Sequence, residues 1–282
     1  MQVAEKLPTS PHILNDLQTL LNNPENGIEK VAVLLRQDQG LTARVVRIAN
    51  SIIFNRGEAV GSLEESLSRI GFAEVHRMAG AAVLQQLSSI EFSFYPFSKF
   101  EFSRNSLLVG FLMEEFGGHV GANPQVAYTA GLLRSIGKLV IDTVARTDFS
   151  GLQAPPLGDD GLLAWEQEFF GITHPEVASA VLRAWKFPVE VFVPVRDHLL
   201  QRLAVDPLPS CKMLHLAAAT ADKHGWGLPG ESIYWGAAEA NQEELRLSPQ
   251  DLSEMLERSE AKCERAVSAL GDDAATAIEV AK

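Results

Sequence analysis

Apolar residues recur every three to four positions along most of the chain, in segments separated by capping and breaking residues. Ile13, Leu14, Leu17, Leu20 and Leu21 form one face of a first helix, opened by Ser10-Pro11 and stopped by Asn22-Asn23-Pro24. A second helix is predicted from about Ile28 to Gln37, with Val31, Leu34 and Leu35 apolar. In residues 38–51, behind Asp38, Leu41, Val45 and Ile48 keep the same period, which Ile52 continues, while Arg44 and Arg47 stand off the stripe. Asn55-Arg56-Gly57 reads as a turn. Ser62 and Glu65 have the spacing of a capping box, in which each side chain satisfies the other's orphan backbone donor. The helix they open closes at Gly71, and another runs from Phe72 to about Ser88.

Residues 89–99 carry an aromatic cluster whose alternation could suit a strand, but Pro96 favours a loop packed by its own rings. A helix from about Glu101 to Phe116 is expected to end at Gly117-Gly118. Asn123-Pro124 then has the form of a cap followed by proline at the first helical position. The next helix carries small residues at Ala127, Ala130 and Gly131, and Gly137 either ends it or marks a close packing point before Lys138. Beyond a loop at 150–161, Thr173 and Glu176 make a second capping box for a helix reaching Lys186. Another helix is predicted over Val189–Leu203, with Pro194 tolerated only if it lies early. Helices over Ser210–His224 and around Tyr234–Ala240 follow, and Ser248-Pro249 opens a long one to about Leu270, with fraying expected beyond it. There is no convincing strand pair, internal repeat or low-complexity tract. The fold class is all-α.

Composition narrows the function classes. The 282 residues are 46% hydrophobic and 21% charged, as in ordinary globular proteins, and can bury a sizeable core. No segment has the form of a signal peptide or a membrane span, so a soluble, cytoplasmic protein is expected. Cys211 and Cys263 lie far apart in helical patterns and are expected to be reduced. The net charge of −12 disfavours nucleic acid and anionic membrane surfaces as partners. Acidic residues concentrate in 231–282, twelve in number and beginning with Glu231.

Against this background the stretch Tyr128–Val140, with Ala-Gly-Leu-Leu-x-x-Ile-Gly-Lys-Leu inside it, resembles the signature helix of the HD phosphohydrolase superfamily. In that superfamily the two middle positions are a His-Asp metal-ligand pair. Here they are Arg134 and Ser135. Leu7-Pro8, residues 38–51, the Val60–Leu67 box, Ile70-Gly71, Gly171-Ile-Thr-His174, Trp185-x-Phe-Pro188 and Asp197-His198 are similar to the HDOD family, a degenerate branch of that superfamily. Gln39-Gly40 departs from the family's usual proline and small residue. The resemblance implies an HD-superfamily-like helical bundle over residues 7–203, with a helical extension over 204–282 packing on it.

An HD hydrolase needs several His and Asp ligands converging to hold metals that activate water. The resemblance places Asn105 at the upstream histidine position and Arg134-Ser135 at the central pair, with His174, His198 and Asp222 near the remaining ones. Guanidinium has no lone pair for a metal, and a neutral serine hydroxyl is a poor ligand. No metal, cofactor or catalytic residue is therefore assigned. Asn105, Arg134, Ser135, His174, Asp197 and His198 remain as candidate lining of a vacated pocket. A structural role at the helix start, capping or bonding to the preceding loop, is favoured for His174, and a surface polar pair for Asp197-His198. No Walker, Gly-x-Gly-x-x-Gly, Gly-x-Ser-x-Gly or Cys-x-x-Cys motif occurs.

The resemblance implies a non-catalytic regulatory protein of bacterial signalling. It would bind an as yet unidentified signalling protein, such as a component of a cyclic-dinucleotide pathway. Two alternatives stand beside it: a sensor holding a nucleotide or other phosphate-bearing ligand in the vacated pocket, and a residual metal-dependent phosphohydrolase. A buried Arg134 needs a carboxylate, solvent or an anion. An internal ion pair is expected, with Glu166, Glu168 or Asp197 as the partner.

Overall fold

The computed structural model describes residues 12–21, 23, 25–51, 54, 57–87, 91–148, 155, 161–199 and 208–270. Among these residues the regular structure is helical throughout, with no strand, as the apolar periodicity predicts. None of these helices is long and apolar enough to cross a membrane. The Ser10-Pro11 cap, Asn22 and Pro24, Ile52, Asn55-Arg56, most of the 150–160 loop, the expected helical residues 200–203 and the chain end from 271 lie outside the described residues.

The chain divides into two compact units, one built on Thr9–Gln85 and the other on Gln86–Cys263. This division falls well before the boundary at 203/204 suggested by the sequence. The helical segments from 208 to 263 are part of the same unit as the signature helix.

The unit built on Thr9–Gln85 contains α1 (His12–Leu21), α2 (Ile28–Leu35), α3 (Gln39–Ala49), α4 (Leu63–Ile70) and most of α5 (Phe72–Leu87). Its core is the apolar face of each helix: Leu14 and Leu17, Val31 and Leu35, Leu41 and Val45, Leu63 and Leu67. Asp38 caps α3 by accepting from the Leu41 amide at 2.9 Å, so Gln39-Gly40 does not disturb the helix start. Ser62 accepts from the Glu65 amide at 3.2 Å, which is one half of the capping box expected there. Arg44 lies off the buried stripe, and its Nη2 donates to Gln85 Oε1 at 3.0 Å.

The unit over Gln86–Cys263 contains α6 (Lys99–Val120), α7 (Pro124–Leu133), α8 (Ile136–Asp148), α9 (Leu162–Phe170), α10 (His174–Ala184), α11 (Val189–Asp197), α12 (Pro209–Ala221), α13 (Ala238–Glu244) and α14 (Pro249–Leu270), the last of which runs past Cys263. A π turn over Asp222–Trp226 and a 3-10 turn over Ser232–Ala237 connect α12 to α13. Helix α6 is longer than its glycines suggest. It begins at a reciprocal Ser98–Glu101 capping box, passes through Gly117-Gly118 and stops at Gly121 in the left-handed region. Gly117 is a contact and not a terminator, because a Cβ there would lie 3.0 Å from Ala127 Cβ. A Cβ on Gly131 would lie 2.6 Å from Val109 O, so α6 and α7 pack at backbone distance.

Pro194 lies inside α11, within its second turn, and that helix is short, ending at Asp197. Helix α10 ends at Ala184, two residues before Lys186, whose φ of 61° lies in the left-handed region. Cys211 and Cys263 are both buried and outside any disulfide. Glu114 and Glu115 on α6 pair with Lys262 at 2.9 and 2.6 Å, and Glu115 also meets Arg258 at 2.9 Å. These contacts tie the long C-terminal helix to α6.

Candidate functional site

The signature helix is broken where the metal-ligand pair would stand. α7 ends at Leu133, Arg134 and Ser135 form a turn, and α8 starts at Ile136. Asn123 caps α7 by accepting from the Gln125 and Val126 amides, with Pro124 at its first position. Gly137 resolves as a packing point. A Cβ there would lie 1.9 Å from His174 O and 2.9 Å from the Ala178 amide nitrogen. Only glycine lets α8 meet the start of α10 this closely, and that approach brings His174 against the turn.

Arg134 is buried, and both terminal nitrogens of its guanidinium face partners. Its Nη2 donates to Asn105 Oδ1 at 2.7 Å and to Glu231 Oε2 at 2.9 Å, while Nη1 faces His198 Nε2 at 3.4 Å. Lys138, one helical turn further on, places Nζ 2.6 Å from Glu231 Oε1. Asn105 on α6 holds its orientation by donating from Nδ2 to the Trp226 carbonyl at 2.6 Å. Arg134, Lys138, Glu231, Asn105, His174 and His198 are each exposed by no more than 1%.

A second buried carboxylate braces the first. His174 Nδ1 lies 2.9 Å from both oxygens of Glu166, its amide donates to Glu166 Oε2 at 2.7 Å, and Tyr95 Oη donates to Oε1 at 2.6 Å. Thr173 and Glu176 form the expected capping box, which fixes the first turn of α10 and hence the imidazole of His174. Tyr95 is placed by Asp142, which accepts from the Ser93, Phe94 and Tyr95 amides at 3.1, 2.7 and 3.2 Å. The aromatic connection is thus a loop packed by its rings, with Phe92, Phe97 and Phe102 in mutual contact.

The electrostatics follow from this geometry. Burial pushes Glu231 upward, but the charges of Arg134 and Lys138, with His174 beside them, prevail and hold it far below the ordinary carboxylate range. Glu166 is likewise held low against burial, by His174 and Tyr95. Burial lowers Lys138, an effect Glu231 opposes. Burial and the adjacent Arg134 push His198 well below its ordinary value. His198 Nδ1 lies 2.9 Å from the Val195 carbonyl, so a neutral ring donates there and presents the Nε2 lone pair to Arg134.

Of the residues singled out in the sequence, Asn105, Arg134, His174 and His198 come together. Ser135 is buried in the turn beside Arg134, and its hydroxyl has no hydrogen-bond partner. Asp197 stays apart: both its oxygens are taken by Arg196, at 2.6 and 2.7 Å. The buried ion pair is of the kind expected, but with a different partner. Glu166 serves His174 and Tyr95, Glu168 is exposed, and the carboxylate on Arg134 is Glu231. Lys138, Glu231, Tyr95 and Asp142 were not assigned to the site from the sequence. Lys138 was legible, since it follows Arg134 by four residues inside the signature stretch. Glu231 was hidden in a Gly/Pro-rich turn and read only as part of an acidic tail.

A hydrolytic metal centre does not fit these residues. The upstream and central positions carry an amide, a guanidinium and a neutral hydroxyl, those of Asn105, Arg134 and Ser135. Both Glu231 oxygens are within ion-pair distance of a cation, and His198 Nε2 faces Arg134. Among the described residues no group of three or more His, Cys, Asp or Glu side chains is arranged to hold a metal ion.

The comparisons agree with this architecture. The HDOD domain pattern matches residues 7–199. An HDOD domain protein of unknown function from Geobacter sulfurreducens is 21% identical with a TM-score of 0.65, over 94% of this chain and 96% of that one. A protein from Marinobacter aquaeolei VT8 provisionally assigned to signal transduction is 22% identical with a TM-score of 0.70, over 93% of this chain and 59% of that one. One from Shewanella amazonensis SB2B, provisionally assigned as a phosphohydrolase, is 21% identical with a TM-score of 0.66, over 96% and 97% of the two chains. An uncharacterized protein of Treponema pallidum (strain Nichols) is 20% identical over 206 residues, 69% of this chain but 38% of that protein, so the chain spans about two-fifths of that curated relative. At these identities the solved structures speak for the fold. With a domain match over well more than half of its length, the chain belongs to the HDOD family.

Proposed function

We propose that this HDOD protein is a non-catalytic regulatory module that works by binding another protein of a bacterial signalling pathway, such as a cyclic-dinucleotide system. The observation carrying the proposal is Arg134. Its guanidinium occupies the central position of the former metal site and is locked to Glu231 at 2.9 Å in the protein interior. A fixed cation there repels a divalent metal, and the paired carboxylate is withdrawn from metal binding. The Marinobacter neighbour, provisionally assigned to signal transduction, supports a regulatory role by analogy of fold. The Shewanella neighbour keeps phosphohydrolysis as the competing reading.

Two measurements test the proposal together. The purified protein is assayed with manganese, iron(II) or zinc against nucleotides and cyclic dinucleotides, and it is used as bait against an extract of its native host. No turnover and reproducible capture of a signalling protein are expected. Metal-dependent release of phosphate or linear dinucleotide, abolished by substitution of Arg134, would overturn the proposal.

A further inference from the structure

The Arg134–Glu231 contact leaves donors unused. The guanidinium meets Glu231 through one nitrogen, and Arg134 Nε, fully buried, has no partner. His174 Nε2, also buried and without a hydrogen-bond partner, stands 3.8 Å from Glu231 Oε1 on the side of the carboxylate facing Lys138. Two cations and an imidazole therefore converge on one carboxylate with two oxygens. That donor set suits a small free oxyanion in place of the tethered carboxylate.

The carboxylate is brought by a segment anchored independently of it. Leu228 is buried on one side of Glu231, and on the other Tyr234 Oη accepts from the Leu163 amide at 2.9 Å. On the same segment Trp226 lies under Arg104 at 3.8 Å, and Trp235 packs edge-on against His215. These contacts hold the 222–237 segment in place whether or not residue 231 carries a charge.

The geometry points to an anion-binding site formed by Arg134, Lys138 and His174, suited to a small carboxylate or phosphate group and kept closed by Glu231 acting as a tethered ligand. A carboxylate fixed on the same chain competes at an effective concentration of millimolar or more, so free anions are excluded from the intact protein until the segment is released. This goes beyond the interaction role and does not depend on it.

The test uses the full chain and the Glu231→Ala variant, titrated with inorganic phosphate and, separately, with formate at constant ionic strength. Thermal midpoint and tryptophan fluorescence are followed, the latter drawing on Trp226 and Trp235 among four tryptophans. Glu231→Ala is expected to melt below the wild type and to recover several degrees, saturably, with millimolar anion. The wild type should need at least about 100-fold more. A larger effect of phosphate marks a phosphoryl ligand, and an equal or larger effect of formate a carboxylate. In Arg134→Met/Glu231→Ala the response should vanish. If Glu231→Ala does not fold in either anion, Glu231→Asp, with its carboxylate drawn back by one methylene, takes its place. No saturable response in the folded variant, a response undiminished by Arg134→Met, or a wild type that responds as readily would overturn the inference.

Discussion

Arg134 Nη2 and Glu231 Oε2 lie 2.9 Å apart although 97 residues separate them in sequence, and neither side chain is exposed by more than 1%. The pair joins the turn between α7 and α8 to the segment between α12 and α13. Lys138 still pairs with Glu231 when Arg134 is removed, but the buried acceptors Asn105 Oδ1 and Glu231 Oε2 lose their donor. Arg134→Ala is therefore expected to destabilise the protein by about 3 kcal/mol. Urea unfolding reads this directly. A midpoint equal to that of the wild type would contradict it.

Placing His-Asp at positions 134 and 135 should not create a metal site. In Arg134→His/Ser135→Asp, Lys138 still faces Glu231, and Asn105 still offers an amide where a histidine is needed. Elemental analysis after loading with manganese or zinc is expected to find well under one ion per chain. One or two tightly held ions would show that the remaining donors suffice.

Gly137 should tolerate no side chain. An alanine Cβ would lie 1.9 Å from the His174 carbonyl oxygen, which belongs to rigid backbone at the start of α10. Gly137→Ala is expected to cost about 3 kcal/mol by forcing α8 and α10 apart. Thermal unfolding would show this as a marked fall in midpoint. An unchanged midpoint would mean that the helices have room to part.

Acid sensitivity should begin near neutrality, before the carboxylates titrate. His76, on α5, is lowered to about 4 by burial and by the charge of Arg77. His198 is pushed down by burial and by Arg134, against the opposing charge of Glu231. Each stays neutral in the fold while the unfolded chain takes up a proton, so stability falls as pH drops below about 6.5. For His76 alone the loss reaches about 2 kcal/mol by pH 5. Glu231 and Glu166 act lower. Their depressed values contribute stability that is present above about 4.3 and is lost as pH falls further. Unfolding free energies at pH 7, 6 and 5 test the first window, where a flat profile would contradict the neutral burial of these histidines.

The fold was legible because helix signals are local. Asp38, Ser62, Asn123 and the Thr173–Glu176 pair all mark helix starts where the sequence places them. Gly117-Gly118 misled because a glycine that ends a helix and one that admits a neighbouring helix look alike in sequence. Ala127, ten residues on, decides between them through space. The need for a carboxylate at Arg134 was likewise legible, from the cost of an unpaired buried charge. Its identity was not, because the segment carrying Glu231 is brought to the signature turn by tertiary packing. Asp197 shows the converse. Its neighbour His198 enters the site, while its own carboxylate turns to Arg196.

The account rests on Arg134 and Glu231 acting as one buried unit. A double-mutant cycle with Arg134→Met, Glu231→Gln and the combined variant, read by urea unfolding at pH 7, measures that unit most directly. The two single variants should each be strongly destabilised. The combined variant, in which Lys138 still lacks its carboxylate, should lose less than the sum of the two, with a coupling energy of at least about 2 kcal/mol. Additive effects, with coupling below about 0.5 kcal/mol, would show that the two side chains do not depend on each other and would contradict the account.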